Sequence, residues 1–479
     1  MSARSTTPAR ARLLRPLAGL AALGTTAALA LTVLAGPQPT AAPESPTSAS
    51  PEGLTAALVA AAPNPVTPGD FAGYGFDQCL APTQSAMDTW LRSSPFLSVG
   101  IYISGNSRAC RNQPNLTPTW IRTQLRKGWR LLPITLGPQA SCATRFPRYS
   151  DDPTINPKPG KRDLYRKARA MGRDEAVTAV AEAKRLGIVP GSTLWYDLEG
   201  YDSTNRHCRE SALAFLSGWT YRLHELDYVS GVYSSAGSGI KDLDDARVSR
   251  PKAFELPDMI WVARWDGVAN TSTSYIRDDG WRPGGRVKQY QGGHNETWGG
   301  VTINIDRNYL DVGNGHAAPA DPHCGGVRVN FRTYPGLAAP TDTTTPPKGR
   351  VRALQCLLTE QDRYDGKING LYKAATVKAV TAWQTARGVA ATGQVTTKDW
   401  MRLHAAGNRP ILKIGSTGAE VRRVQRTLNA ASGSTRLKAD GVYDAELADA
   451  VRAYQRRVGT KVSGIVDTRT WRRLAAART

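Results

Sequence analysis

The sequence predicts an α/β protein: a (β/α)₈ TIM-like barrel followed by two small three-helix domains. Three observations carry this reading. Between residues 71 and 330, eight short apolar, β-branched or aromatic runs alternate with helical segments. Between 350 and 479 the chain repeats itself at an offset of 70 residues. Two stretches rich in Pro, Ala and Thr, 36–70 and 331–349, bracket the first block as linkers. A length of 479 residues accommodates about three domains at roughly 100–200 residues each. The 41% hydrophobic and 21% charged content excludes a disordered chain and a multi-span membrane protein.

The first element is a leader. Arg4, Arg10, Arg12 and Arg15 precede an uncharged run from Leu17 to Ala35 that ends in Val33-Leu34-Ala35. A basic start, an apolar stretch and a small-residue exit read as a secretory signal over 1–35. An uncleaved anchor is the alternative, because the run almost spans a bilayer. Six cysteines follow, with no CxxC, and an even count in an exported chain points to disulfides. The six histidines are scattered and form no HExxH, so no metal site is expected. There is no Walker A loop, complete GxGxxG or GxSxG elbow, and no cofactor is expected.

In the central block the candidate strands are 72–77, 98–103, 130–136, 193–199, 229–234, 259–265, 286–291 and 302–306. Helical segments at 166–186 and 210–226 lie between them. Alternating strand and helix imply parallel strands with right-handed crossovers. Eight units in about 240 residues are the size of a closed barrel; an open doubly wound sheet is the structural alternative.

Such barrels place their chemistry at the C-terminal ends of strands. Strand 1 ends at Asp77, strand 4 at Asp197-Leu-Glu199 and strand 8 at Asp306. Asp197 and Glu199 share a face because strand side chains alternate. Asp77 and Asp306 reach the same mouth because strands 1 and 8 are neighbours when the barrel closes. Four carboxylates at one mouth repel, which drives at least one neutral and lets it act as a general acid. That constellation suits glycoside hydrolysis. Trp195, Trp261, Trp265, Tyr290 and Trp298 lie at or near strand ends and suit sugar stacking. Six cysteines permit 15 connectivities. Adjacent loops at one barrel face favour Cys79–Cys110 and Cys142–Cys208, which leaves Cys324–Cys356.

The third block has the same plan twice. Val351-Arg-Ala-Leu-Gln355 returns as Val421-Arg-Arg-Val-Gln425, Asp365-Gly366 as Asp440-Gly441, and Ala382-Trp383-Gln384 as Ala453-Tyr454-Gln455. Gly393 and Trp400 return as Gly464 and Trp471. The boundaries expected are 350–406 and 407–479. This block holds 24 Lys and Arg against 10 Asp and Glu, more than half of the chain's net charge of +22. Such a surface seeks anionic partners, although a merely soluble basic surface needs none. Nucleic acid is not expected in an exported chain without a recognition helix or stacking platform.

Each repeat resembles the three-helix peptidoglycan-binding domain of bacterial wall hydrolases. The shared motifs are the V-x-x-L-Q helix, the D-G turn, the A-V-x-x-[FWY]-Q helix and the G…W exit; the second copy departs at the turn, with Asp444-Ala445-Glu446-Leu447. The block 71–313 resembles the glycoside-hydrolase-like barrel of secreted actinobacterial proteins, relatives of the family 25 (Chalaropsis-type) lysozymes. The matching residues include Gly75-Phe-Asp77, Val99-Gly-Ile-Tyr102, Asp197-Leu-Glu199, Gly231-Val-Tyr233, Trp261-Val-Ala-Arg-Trp265, Gln289-Tyr290 and Ile305-Asp306-Arg-Asn308. The resemblance implies Glu199 as proton donor and Asp197 as the group that orients an N-acetyl substituent or stabilises charge. Asp77 and Asp306 complete the acidic site, with Tyr102, Trp195, Trp265, Gln289 and Tyr290 as substrate contacts. The expected protein is a monomeric, secreted, wall-associated glycosidase whose partners are peptidoglycan and anionic wall polymers. After signal cleavage no membrane contact is expected. A non-catalytic glycan-binding barrel is the alternative. An amidase or peptidase would need a His, Cys or metal set that the chain lacks.

Overall fold

The computed structural model describes residues 62–432 and 436–479. The expected signal over 1–35, and the first part of the 36–70 tether, lie outside them. Eight strands close into one barrel in chain order. They are β1 (Phe71–Asp77), β2 (Ser98–Ser104), β3 (Arg130–Thr135), β4 (Thr193–Leu198), β5 (Val229–Ser235), β6 (Met259–Ala263), β7 (Gly285–Trp298) and β8 (Val301–Val312). Five helices cross between the first six strands: α1 (Gln84–Ser93), α2 (Pro118–Arg126), α3 (Arg166–Leu186), α4 (Arg206–Glu225) and α5 (Gly239–Ser249).

The last quarter of the barrel departs from eight repeated strand–helix units. Strands β1 to β7 are parallel, but β8 runs antiparallel to both β7 and β1. The cause is the connection. Gly299 and Gly300, both with positive φ, make a two-residue turn, which only an antiparallel pair can use. Beyond the barrel wall the β7–β8 ribbon bends at irregularities after Gln289 and Gln291. Its tip lies on α1, where the Trp90 indole donates to the Val301 carbonyl at 3.0 Å.

Period-two alternation sorts β4 into two functions. Tyr196 points outward and packs on Phe215 and Trp219 of α4. Trp195 points inward, edge-on to Trp261. Two glycines make room for these indoles. A Cβ on Gly231 would sit 2.4 Å from the Trp195 ring, and one on Gly100 would sit 2.6 Å from the Asp77 Cβ. The barrel is therefore a packed core with carboxylates laid on top of it.

The C-terminal block holds two three-helix units: α6 (Lys348–Thr359), α7 (Ala374–Ala386) and α8 (Thr397–His404), then α9 (Ala419–Ala431), α10 (Ala445–Arg457) and α11 (Thr468–Ala475). The repeated motif residues are hydrogen-bond clamps. Gln355 accepts from the Gly370 amide at 2.8 Å, and Gln425 accepts from that of Gly441 at 2.9 Å. Gln384 and Gln455 do the same for Gly393 and Gly464. Trp400 donates to the Pro335 carbonyl and Trp471 to that of Pro410. The segment 331–349 is thus more than a linker. Leu337 pairs with Val395 as Leu412 pairs with Val466, so the first repeat begins inside it. Tyr334 and Leu337 are buried there.

The second repeat is seated on the floor of the barrel, at the N-terminal ends of the strands. Lys413 is 1% exposed, and its ammonium donates to the carbonyls of Ser94 and Phe96 at 2.9 and 2.8 Å. It also lies over the Trp129 ring. Gly415 packs on Phe71, where a Cβ would come within 2.3 Å of the ring. Removing the Lys413 side chain leaves two buried carbonyls unsatisfied, at about 1–3 kcal/mol each. We expect Lys413→Ala to lower the unfolding temperature by several degrees and to speed protease cleavage near Gly407. The exposed control Lys438→Ala should change neither. Equal behaviour of the two variants in parallel melts and digests would show that the contact contributes nothing.

Candidate active site

The mouth of the barrel gathers all four sequence-selected acids. Asp77 ends β1, and its backbone register pairs it with Asp306. Asp306 reaches the mouth by a different route from the one expected. It lies in the middle of the antiparallel β8, opposite the C-terminal end of β1. Asp197 lies near the end of β4, and Glu199 follows its last residue. Gln139, from the loop after β3, fixes this corner: its Oε1 accepts from the Glu199 amide at 2.9 Å and its Nε2 donates to the Asp197 carbonyl at 2.8 Å.

Burial governs the protonation of the cluster. Asp77 is 4% exposed, and its carboxyl is pushed up to about 8, first by burial and then by the charge of Asp306. Donors oppose this: Asn308 Nδ2 at 2.7 Å and Gln289 Nε2 at 3.2 Å. Asp306 is raised less, to about 6, by burial and by Glu199, while a hydrogen bond from Asp77 holds it down. The two therefore share one proton near neutral pH, held mainly by Asp77. Burial, then Glu199, holds Asp197 well above the carboxylate range despite the Tyr102 hydroxyl donating to it at 3.2 Å. One oxygen of Asp197, Oδ1, is buried without a hydrogen-bond partner. Glu199 is raised by burial, and the charges of Arg145 and Arg148 oppose the rise.

Two cavities meet at Glu199. One, of about 430 Å³, is lined by Arg145, Glu199, Tyr233, Arg264, Trp265 and Tyr275 among others. The other, of about 250 Å³, is lined by Asp77, Tyr102, Arg108, Arg148, Glu199 and Asp306 among others. Disulfides Cys79–Cys110 and Cys142–Cys208 tie down the loops around this face, and Cys324–Cys356 joins the end of the barrel block to α6. These are the three pairings expected.

The residues expected to contact substrate lie in different settings. Tyr102 and Trp265 line cavities, and Trp265 is 62% exposed. Trp195 and Trp261 are fully buried beneath the acids, because inward residues one layer below a barrel mouth are core. Gln289 faces inward but acts on protein, accepting from the Trp265 indole at 2.9 Å and the Tyr233 hydroxyl at 3.0 Å. Its neighbour Tyr290 must face the other way, and it is buried with its hydroxyl pushed up to about 12. Trp298 lies at the ribbon tip, in a cavity shared with Lys413 of the second repeat. Sequence reasoning passed over Asn308 and Tyr233 as site residues. The cue for Asn308 was present, since it stands two residues after Asp306 and shares its face.

Comparison with known proteins agrees with this architecture. Residues 88–310 match the Rv2525c-like, glycoside hydrolase-like domain, and residues 347–403 and 417–474 each match a peptidoglycan binding domain. The central block is thus a glycoside hydrolase-like domain, and the two helical units are peptidoglycan-binding domains. More particularly, the barrel block is similar to the Rv2525c-like family over residues 88–310. Similar solved structures include an uncharacterized B. stearothermophilus protein, at 17% identity and a TM-score of 0.31, covering 50% of this chain and 95% of that one. The Mycobacterium tuberculosis Tat-secreted protein Rv2525c is similar at 12% identity and a TM-score of 0.34, with coverage of 50% and 95%. The modular Cpl-1 endolysin is similar at 11% identity and a TM-score of 0.29, covering 57% of this chain and 61% of that one. No curated protein matches the sequence.

The raised Asp77 has a cost in stability. In the unfolded chain its carboxyl ionises near 3.9, whereas in the fold it ionises near 8. Its favourable contribution is complete below about 4 and is lost as pH rises through about 8. Asn cannot ionise and keeps the Asn308 contact. We expect the melting temperature of Asp77→Asn, relative to wild type, to climb between pH 5 and pH 8 and to level off above. A gap independent of pH in calorimetric scans would contradict the raised value.

Proposed function

We propose that the chain is a secreted, wall-associated glycosidase of the muramidase type, with residues 1–35 as export signal and the two repeats as wall anchor. The observation that carries this reading is the position of Glu199, a half-buried carboxyl at the junction of two cavities, facing a pair of acids that share a proton. A sugar on each side of that junction would place the glycosidic oxygen at Glu199. Glu199, whose carboxyl burial raises, would protonate that oxygen as the bond breaks. Ionised Asp306 would support the cationic sugar. Asp197, with its unpartnered oxygen, would orient an N-acetyl group or stabilise charge. Tyr102 and Trp265 would contact the glycan directly, and holding the enzyme on the wall would raise the local concentration of substrate.

A second reading, a barrel that binds glycan without cleaving it, draws on the same acids. Asp77, pushed up to about 8, and Asp197, raised by burial, offer less negative charge to stabilise a cation. Release of reducing ends from purified peptidoglycan separates the two. The glycosidase reading expects release by wild type and a loss of about 10²–10⁴-fold in Glu199→Gln, because an amide donates no proton to the leaving oxygen. Binding to the wall should survive in that variant. Wall binding by wild type without reducing-end release would favour the second reading. The pH profile adds a check. Activity should rise as Asp306 ionises near 6 and fall as the shared proton leaves Asp77 near 8. A profile flat from pH 5 to 9 would exclude the pair from the chemistry.

A further inference from the structure

The acidic mouth is rimmed by four arginines that make no side-chain hydrogen bond or ion pair to a carboxylate among the described residues, although Arg145 and Arg148 act at longer range on Glu199. Arg145 and Arg264 line the cavity on one side of Glu199; Arg108 and Arg148 line the cavity on the other. Their side-chain hydrogen bonds go to uncharged oxygens. Arg108 donates to the carbonyls of Gly105 and Tyr102, Arg148 to that of Ser107, and Arg264 to the Tyr275 hydroxyl. Arg145 makes no side-chain hydrogen bond or ion pair among the described residues. Arginines close by that face away from the cavities are paired. Arg111 binds Asp151 and Asp152 at 3.2 and 2.9 Å, and Arg307 binds Glu296 at 2.6 Å. The four cleft-lining arginines thus keep their guanidinium groups free of carboxylate hydrogen bonds among the described residues.

The loops that carry these cations are also the loops held by covalent bonds. Cys110 lies two residues after Arg108 and is bonded to Cys79; Cys142 lies three residues before Arg145 and is bonded to Cys208. Arg148 stacks on the Phe146 ring and Arg264 on that of Tyr275, which limits the positions their guanidinium groups sample. A neutral glycan would need no such rim. A polyanionic glycan approaching the ionised acids of the mouth would be repelled without one.

We propose that the cleft takes a glycan bearing carboxylates on both sides of the bond beside Glu199. Arg145 with Arg264 on one side, and Arg108 with Arg148 on the other, receive them by charge-assisted hydrogen bonds. This rests on the glycosidase reading and narrows its substrate class. Two sources offer that chemistry: the stem-peptide carboxylates of peptidoglycan (or the lactyl carboxylate where no stem is attached), and the uronates of an acidic polysaccharide.

The test uses the full chain and three soluble tetrasaccharides. They are a muropeptide with free carboxylates, the same muropeptide converted to methylamides, and one alternating N-acetylglucosamine with glucuronate. Wild type and Arg145→Gln/Arg264→Gln are compared by kcat/KM for reducing-end release, with melting curves to verify folding. The repeats are identical in both proteins, so any difference belongs to the cleft. We expect methylamidation to lower wild-type kcat/KM about tenfold or more. The double variant should lose a similar factor on the acidic muropeptide but little on the amidated one. Preference for the uronate chain over the muropeptide would assign the carboxylates to a uronate source. Equal rates on acidic and amidated muropeptide, or an undiminished preference in the double variant, would overturn the inference while leaving glycosidase activity in place. No cleavage of any of the three would overturn the glycosidase reading and this inference together.

Discussion

Four carboxyls compete for one desolvated mouth, and most of the surrounding structure answers that competition. Ionising all four in a site of low polarity would cost far more than any single contact returns. The site holds some of its acids as neutral carboxyls. Asp77 keeps a proton and shares it with Asp306, and donors from Asn308, Gln289 and Tyr102 take up the oxygens that lose water. Gly100 has no side chain because the Asp77 Cβ occupies that space. The cations of the rim stand farther out, where water still reaches them.

Stability and chemistry occupy opposite ends of the barrel. The mouth stores unfavourable burial. The floor carries the buried Lys413 contact and the Phe71–Gly415 packing that fasten the second repeat to the barrel. Deleting residues 350–479 would uncover that floor, so a truncated barrel would lose packing as well as its peptidoglycan-binding domains. It also follows that the wall-binding units do not border the cleft.

Much of this was legible in the residues. Strand β4 announced both of its faces, since Trp195, Asp197 and Glu199 alternate with Tyr196 and Leu198. The 70-residue offset exposed the repeats, in each of which a motif Gln side chain accepts from a motif Gly amide. Other features carried no local cue. The antiparallel β8 depends on a two-glycine turn that reads equally well as a loop. Asp306 was assigned to the mouth on the premise of a parallel strand ending there, and reaches it as a mid-strand residue. Trp195 and Trp261 lie near strand ends, yet depth inside a barrel depends on register, which one strand's sequence does not contain. Arg145 and Arg148 sit in an irregular loop whose course is set by a disulfide to α4, beyond the reach of any periodicity.

The claim at the centre of this account is the shared proton. It can be read directly by following the carboxyl carbons of selectively labelled Asp in wild type and in Asp306→Asn by NMR across pH 3 to 10. The account predicts one carboxyl ionising near 6 and a second near 8 in wild type. In Asp306→Asn the step near 6 should vanish, and the remaining step should move down once its anionic neighbour is gone. If every aspartate of the mouth ionises below pH 5, no proton is shared, and the site is a cluster of ordinary carboxylates.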